Sequence, residues 1–189
     1  RELVEAIRPF QIAHPKVSIN LHLSDQHVDI LDEGFDLAIR FGPLQNSTLI
    51  ARKLLTMRLV VFASPEYINT HGEPLHPSDL STHNCLLQSS SADPEHWAFT
   101  VAGTEQKYRV NGSFTANSPR AVAHMAVGGL GIGRCPLYTV EPFLKSGELV
   151  LLFDDKMVSV FNLYAVYPSA RHLTARIRKL IDHLVTALG

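Results

Sequence analysis

The sequence predicts an α/β chain of two lobes around one cleft. Three features carry that expectation. Helical and strand-like segments alternate along the whole length, a proline-containing connection at 73–80 separates two such series, and residues 24–54 pack a helix, a buried strand and a long crossover into a short span.

Leu3, Ile7 and Phe10 share one helical face, and the helix they predict runs to Ala13, where His14-Pro15 breaks it. Val17, Ile19, Leu21 and Leu23 then alternate with polar residues, the pattern of a strand over 17–23. Ser24-Asp25 reads as the N-cap of a short helix over 26–33, with Val28, Ile30 and Leu31 as its apolar face and Gly34 as its C-cap. A mainly apolar strand, Asp36–Arg40, stops at Phe41-Gly42-Pro43 and leaves Arg40 at its carboxyl end.

Residues 49–64 read as extended, most strongly over Arg58–Ala63. Ser64-Pro65-Glu66 starts a helix, serine as cap and proline at the first position, which ends near His71-Gly72. Pro74, Pro77 and the capping pair Ser78-Asp79 make the connection to a second lobe. Strands are expected there at 85–88, 97–101, 107–110 and 113–116, broken by SSSADPE at 89–95 and by Gly103 and Gly112. Asn117-Ser118-Pro119 opens a helix with Ala121, Val122, Met125 and Ala126 inward, and Gly128-Gly129 ends it. A strand over Leu130–Gly133 leads to Arg134-Cys135-Pro136, a helix over 137–145, a strand over 149–153 and a polar turn at Asp154-Asp155. The chain finishes with a strongly β-like run, Phe161–Tyr167, and an amphipathic helix, Thr174–Leu188.

With 189 residues, 46% of them apolar, the chain is able to bury a proper core, and a net charge of −1 gives no sign of a nucleic-acid surface. No stretch approaches the roughly 20 apolar residues of a bilayer-spanning helix, and the first residues show no cationic-then-apolar leader. Helical periodicity begins at once behind Arg1, so the chain is expected to start inside an element. Cys85 and Cys135 form no CxxC or Cys/His cluster and read as buried thiols. The ten histidines are scattered without an HExxH or HxH pattern, there is no GxSxG elbow, and no nucleophile stands beside His172 or Asp182. Neither a metal, a cofactor nor catalysis is predicted.

Binding candidates lie at helix starts and strand ends, where free N–H groups favour anions and where open α/β sheets take ligands. Asn117 and Ser118 begin one helix; Ser24 begins another, each serine reading equally as an ordinary cap. Asp25 opposes an anion by its own charge and would select a cationic or hydroxyl-bearing ligand. Arg40 and Arg134 offer guanidinium forks to a carboxylate, against the alternative of an internal ion pair such as Arg40 with Asp36. Phe41, Gly42 and Pro136 flank these positions.

The blocks VDILDEGFDLAIRFGPLQNSTLIARKL (28–54), SPEYINTHG (64–72), GGLGIGRCP (128–136) and LYAVYPSARHLTARIRKLIDHL (163–184), in this order, closely resemble the effector-binding region of LysR-type bacterial transcriptional regulators. The resemblance spans almost the whole chain. It implies the type 2 periplasmic-binding-protein fold: two Rossmann-like lobes, the first discontinuous (1–72 plus 162–189) and the second 73–161, joined by a two-strand hinge. It further implies an effector held between the lobes, whose preference for one lobe angle controls the DNA-binding heads. A winged helix-turn-helix, a linker helix and a first strand would precede Arg1. Also implied are a cytoplasmic location, a homodimer through the helix at Leu3–Phe10 and the helix after Asn117, a tetramer in the full-length form, and DNA contact through the absent head alone. One subgroup of the family senses oxidation through a cysteine pair, for which nothing in the surroundings of Cys85 and Cys135 argues. Two other classes compete: a periplasmic solute-binding protein of the same architecture, and a two-lobed enzyme, for which a reactive constellation is lacking.

Overall fold

The computed structural model describes residues 2–24, 34–41, 49–91, 93–153, 157, 159–168 and 173–188. They form two compact units, 1–57 with 161–189 and 58–160. The chain passes between them inside strands, at Met57–Arg58 and at Val160–Phe161. The first passage therefore precedes the helix at 65–71 instead of following Gly72, because one strand runs unbroken through residues 50–63.

In the first unit, helix α1 (Glu2–Ala13) and the C-terminal helix α5 (Ala175–Leu188) pack together over strands β1 (Ala38–Phe41), β2 (Ile50–Ala63) and β9 (Val160–Tyr167). Strand β9 is central, antiparallel to β1 with Arg40 opposite Tyr164, and hydrogen-bonded to β2 on its other side. Ala6, Leu54, Leu163, Ala165, Ile177, Ile181 and Leu184 fill the core, as the helical stripes of both helices require. Arg52 pairs with Asp182 on the surface.

Two expectations in this unit resolve differently. Residues 17–24 carry no regular secondary structure and join no ladder among the described residues, and Leu21 and Leu23 are exposed. Alternation sets which way side chains point; a strand also needs a partner for its backbone. The helix expected over 26–33 lies outside the described residues, although Gly34 has the left-handed φ of +71° expected of its cap.

The second unit is a sheet covered on both faces. Its strands run β8 (Val150–Leu152), β2, β7 (Ile132–Pro136), β3 (Cys85–Gln88), β6 (Phe114–Ala116), with β3 parallel to both β6 and β7 and β2 antiparallel to β7 and β8. Helices α3 (Pro119–Val127) and α4 (Leu137–Ser146) cover one face over Val60, Phe62, Leu86 and Cys135. The hairpin β4 (His96–Val101)–β5 (Thr104–Arg109), helix α2 (Pro65–His71) and a 3₁₀ turn at Pro77–Thr82 cover the other, over Val61, Leu87 and Ile132. The β5 strand begins at Thr104, earlier than the expected 107, because Ala102-Gly103 forms a two-residue hairpin turn.

Local chemistry explains the boundaries. Ser64 Oγ accepts from the Tyr67 N–H at 3.2 Å and Pro65 occupies the first helical position, so α2 is capped as expected. His76 and Asp79 close the 3₁₀ turn as a reciprocal capping box, and Asp79's carboxyl is held below its ordinary range by main-chain N–H bonds from His76 and Leu75. The GGLGIG run is a packing device. Gly129 takes φ +74° after α3, a Cβ on Gly131 would stand 2.3 Å from the Asn84 carbonyl oxygen, and one on Gly133 would stand 2.5 Å from the Phe62 ring. The strand expected at 130–133 is displaced to Ile132–Pro136, since Gly129 and Leu130 are spent turning the chain out of α3.

Candidate functional site

The displacement of β7 changes the reading of Arg134. It sits inside the strand, opposite Val61 of β2, and not in a loop beyond it. Cys135 faces α3 and α4, so alternation sends Arg134 to the hairpin face. There its guanidinium carbon lies 5.2 Å from the centre of the Trp97 ring, within cation–π range. Nη1 is buried and has no hydrogen-bond partner among the described residues. Burial pushes the Arg134 pKa down to about 10, partly countered by the charge of Asp93. Asp93 is itself bonded to His96 Nδ1 at 2.9 Å.

Asn117, Ser118 and Pro136 gather at the same edge of the sheet, because β6, β3 and β7 are parallel and their carboxyl ends coincide. Asn117 is exposed, and its carbonyl accepts from Ser90 Oγ, which is in turn bonded by Gln88 Nε2. Ser118 has extended backbone angles and precedes α3 but makes no side-chain capping bond. The expected serine cap is thus absent, and the first turn receives no bond from the Ser118 side chain. Pro136 is buried and starts α4, again without a side-chain cap. Thr139 Oγ1, in the first turn of α4, is buried beside the Cys135 thiol, whose pKa it helps to lower against the effect of burial. Sequence reasoning missed Trp97, Asp93 and Thr139; no local motif marks them, since a register and a hairpin bring them in.

In the first unit, Arg40 lies on β1 with Nη2 buried, and among the described residues Nη2 has no hydrogen-bond partner and Arg40 makes no ion pair, with Asp36 or otherwise. Phe41 beside it is half exposed and meets Phe161 edge-on at 5.1 Å. Ser24 is exposed. Asp25 and Gly42 lie outside the described residues.

The two cysteines are buried in the sheet on opposite faces, Cys85 with Leu87 and Ile132, Cys135 with Phe62 and Leu86. They do not face each other, and burial pushes both thiols up to about 12. Among the described residues no three His, Cys, Asp or Glu side chains converge as metal ligands, and no helix is long and apolar enough to cross a membrane.

Comparison with known proteins places this arrangement. Residues 2–189 match the model of the LysR substrate binding domain. An uncharacterized HTH-type transcriptional regulator of Haemophilus influenzae is 32% identical over 89% of this chain and 58% of its own length. The HTH-type transcriptional activator AaeR of Escherichia coli is 31% identical over 90% of this chain and 55% of its own. The chain therefore spans somewhat over half of these relatives. Among solved structures, the CrgA regulatory domain from Neisseria meningitidis superimposes with a TM-score of 0.84 at 29% identity, covering 100% of this chain and 93% of that one. Full-length AphB of Vibrio cholerae gives 0.81 at 27%, covering 98% of this chain and 63% of its own. The α/β fold is that of LysR regulatory domains, the type 2 periplasmic-binding class predicted from the sequence, and a transport receptor is not favoured. The chain belongs to the LysR substrate-binding domain family.

Proposed function

We propose that the chain is the effector-binding part of a longer LysR-type transcriptional regulator, and that the carboxyl edge of the second unit's sheet takes the acidic group of a small organic anion. The buried Nη1 of Arg134, without a hydrogen-bond partner among the described residues, carries this reading. A donor withdrawn from water without an acceptor costs about 1–3 kcal/mol. A carboxylate brought to it recovers that cost and gains a charge-assisted bond. The uncapped first turns of α3 and α4 add N–H groups and positive dipole ends at the same edge. Asn117 and Ser118 supply adaptable polar contacts there. Arg40 and Phe41 offer a second cation-and-aromatic pair from the first unit, and Ser24, Asp25 and Gly42 belong to the same proposal.

The chain itself performs no chemistry in this reading; relatives along nearly its whole length are regulators. An effector that binds one of two conformations more tightly shifts their populations, and that difference is the whole of the signal available to the rest of the protein. DNA is contacted through a helix-turn-helix outside this chain, in a cytoplasmic homodimer or tetramer.

Calorimetric titration of the full chain with mono- and dicarboxylates, their amides and the corresponding amines tests the site. Carboxylates bind, the amides do not, and Arg134→Gln weakens carboxylate binding at least tenfold. Binding confined to neutral or cationic compounds would remove the proposal.

A further inference from the structure

A closed circuit of contacts runs through Arg134. On one side β7 registers Arg134 opposite Val61 of β2, and β2 leaves the second unit four residues earlier, at Met57–Arg58. On the other side the guanidinium lies over Trp97 of β4. The two arms meet at one residue. Ser159 Oγ donates to the carbonyl of Ala98, the residue after Trp97, at 2.5 Å, and the Ser159 carbonyl accepts from the Leu59 N–H of β2 at 2.8 Å. Just upstream, the Thr100 N–H donates to the Met157 carbonyl at 3.0 Å, so Met157 and Ser159 both bond the edge of β4 that is not paired with β5. Ser159 directly precedes Val160, where β9 begins and where the chain leaves the unit for the second time.

We infer that Ser159 is a positioning residue that ties the Arg134–Trp97 contact to the point at which β9 leaves the second unit. Two sides of the circuit, Arg134 with Val61 and Leu59 with Ser159, are backbone pairings, and the steps along β2 and β4 are covalent. The other two are side-chain contacts, the Ser159 hydroxyl on the Ala98 carbonyl and the Arg134–Trp97 stack. The stack is the adjustable one, because a guanidinium recruited by an anion slides on an indole face while a ladder holds its register. A shift of the stack then reaches β4, and the Ser159 hydroxyl passes it to the residue before the crossing. Alanine at 159 keeps the backbone bond from Leu59 but cuts the link to Ala98. The inference rests on Arg134 being the effector contact, yet the coupling is a property of the chain without ligand and is measured that way.

Hydrogen exchange of the full chain over 159–163 decides it, read in the wild type, Arg134→Gln, Ser159→Ala and the double variant. Arg134→Gln changes exchange at 159–163 several-fold in the wild-type background and leaves it unchanged in the Ser159→Ala background. Ser159→Thr, which keeps the hydroxyl, restores the response, and Ser159→Cys, a weaker donor of similar size, gives a reduced one. Equal effects of Arg134→Gln in both backgrounds, or none in either, overturn the role of Ser159. Carboxylate binding that survives Arg134→Gln overturns the effector site instead, so the two failures are separate.

Discussion

The guanidinium carbon of Arg134 lies 5.2 Å from the ring centre of Trp97, the chain's single tryptophan. The contact combines an attraction with a deficit, since the guanidinium stacks on the ring while Nη1 is buried without an acceptor among the described residues.

Replacing Arg134 by Met should therefore leave the chain as stable or raise its stability by about 1 kcal/mol. The lost cation–π contact is worth about 0.5–2 kcal/mol, and the relieved desolvation about 1–3 kcal/mol. Urea unfolding followed by Trp97 emission measures it. Destabilisation beyond about 1 kcal/mol would show that Nη1 has a partner in solution.

The β4–β5 turn carries Ala102 at φ +50° followed by Gly103 at φ +79°, the angles of a type I′ hairpin. Alanine is poorly suited to the first of these positions, whereas asparagine tolerates it. Ala102→Asn should stabilise the chain by about 0.5–1 kcal/mol, read as a rise in the urea midpoint at unchanged slope. No change would mean that the turn adopts other angles.

Gly133 and Gly129 should fail differently. A methyl on Gly133 meets the Phe62 ring at 2.5 Å and Val122 at 3.1 Å between sheet and α3, and overpacking of this kind costs about 1–3 kcal/mol. Gly129 has room but a φ of +74°, so alanine there costs about 1 kcal/mol in backbone strain. Combining Phe62→Leu with Gly133→Ala should recover part of the first loss and Phe62→Leu should recover none of the second. Equal behaviour in the two cycles would refute the assignment.

His83 is buried beside Tyr67, whose hydroxyl accepts from the Asn84 N–H and lies 3.2 Å from His83 Nδ1. Burial lowers the His83 pKa, with a further push from the nearby His71, while Asp79 opposes. A histidine with a lowered folded-state pKa takes up its proton more readily when unfolded. Its contribution is therefore intact above the ordinary value of 6.5 and is lost as pH falls from there toward the lower folded-state pKa. The urea midpoint should drop between pH 7 and pH 5, and His83→Asn should flatten that slope. An unchanged slope in the variant would assign the acid sensitivity elsewhere.

Cys85 and Cys135 should resist a thiol-specific disulfide reagent in the folded chain and both react after unfolding, since each is fully buried with a pKa near 12. Their positions on opposite faces of the sheet predict no intramolecular disulfide after peroxide treatment. Mass spectrometry that found a Cys85–Cys135 bridge in the native fold would contradict the packing.

Local signals in the sequence were sufficient for most elements. Ser64-Pro65 and Gly72 bound α2 where expected, the apolar stripes of α1, α3 and α5 face their cores, and the turn at Gly103 separates two strands. These depend on neighbours in sequence, through caps, helical period and backbone angles. The candidate site was only half legible by the same means. Asn117, Ser118 and Pro136 were legible as residues that begin helices, because helix starts carry a local signature. Arg134 was found as a cation but placed beyond a strand instead of within one, and Ser118 was expected to cap a helix that it leaves uncapped.

By itself the sequence determined the α/β class, the family blocks, the order of helices and strands, and the residues able to begin or end them, because each of these is a short-range property. Tertiary structure alone decided the rest. Residues 17–24 stay outside any described ladder because a strand needs a partner, and Cys85 and Cys135 part company because neighbouring strands fix opposite faces. Arg134 meets Trp97, and Ser159 reaches Ala98, through registers between segments far apart in the chain. Such registers are set by the burial of whole faces, which no local pattern encodes.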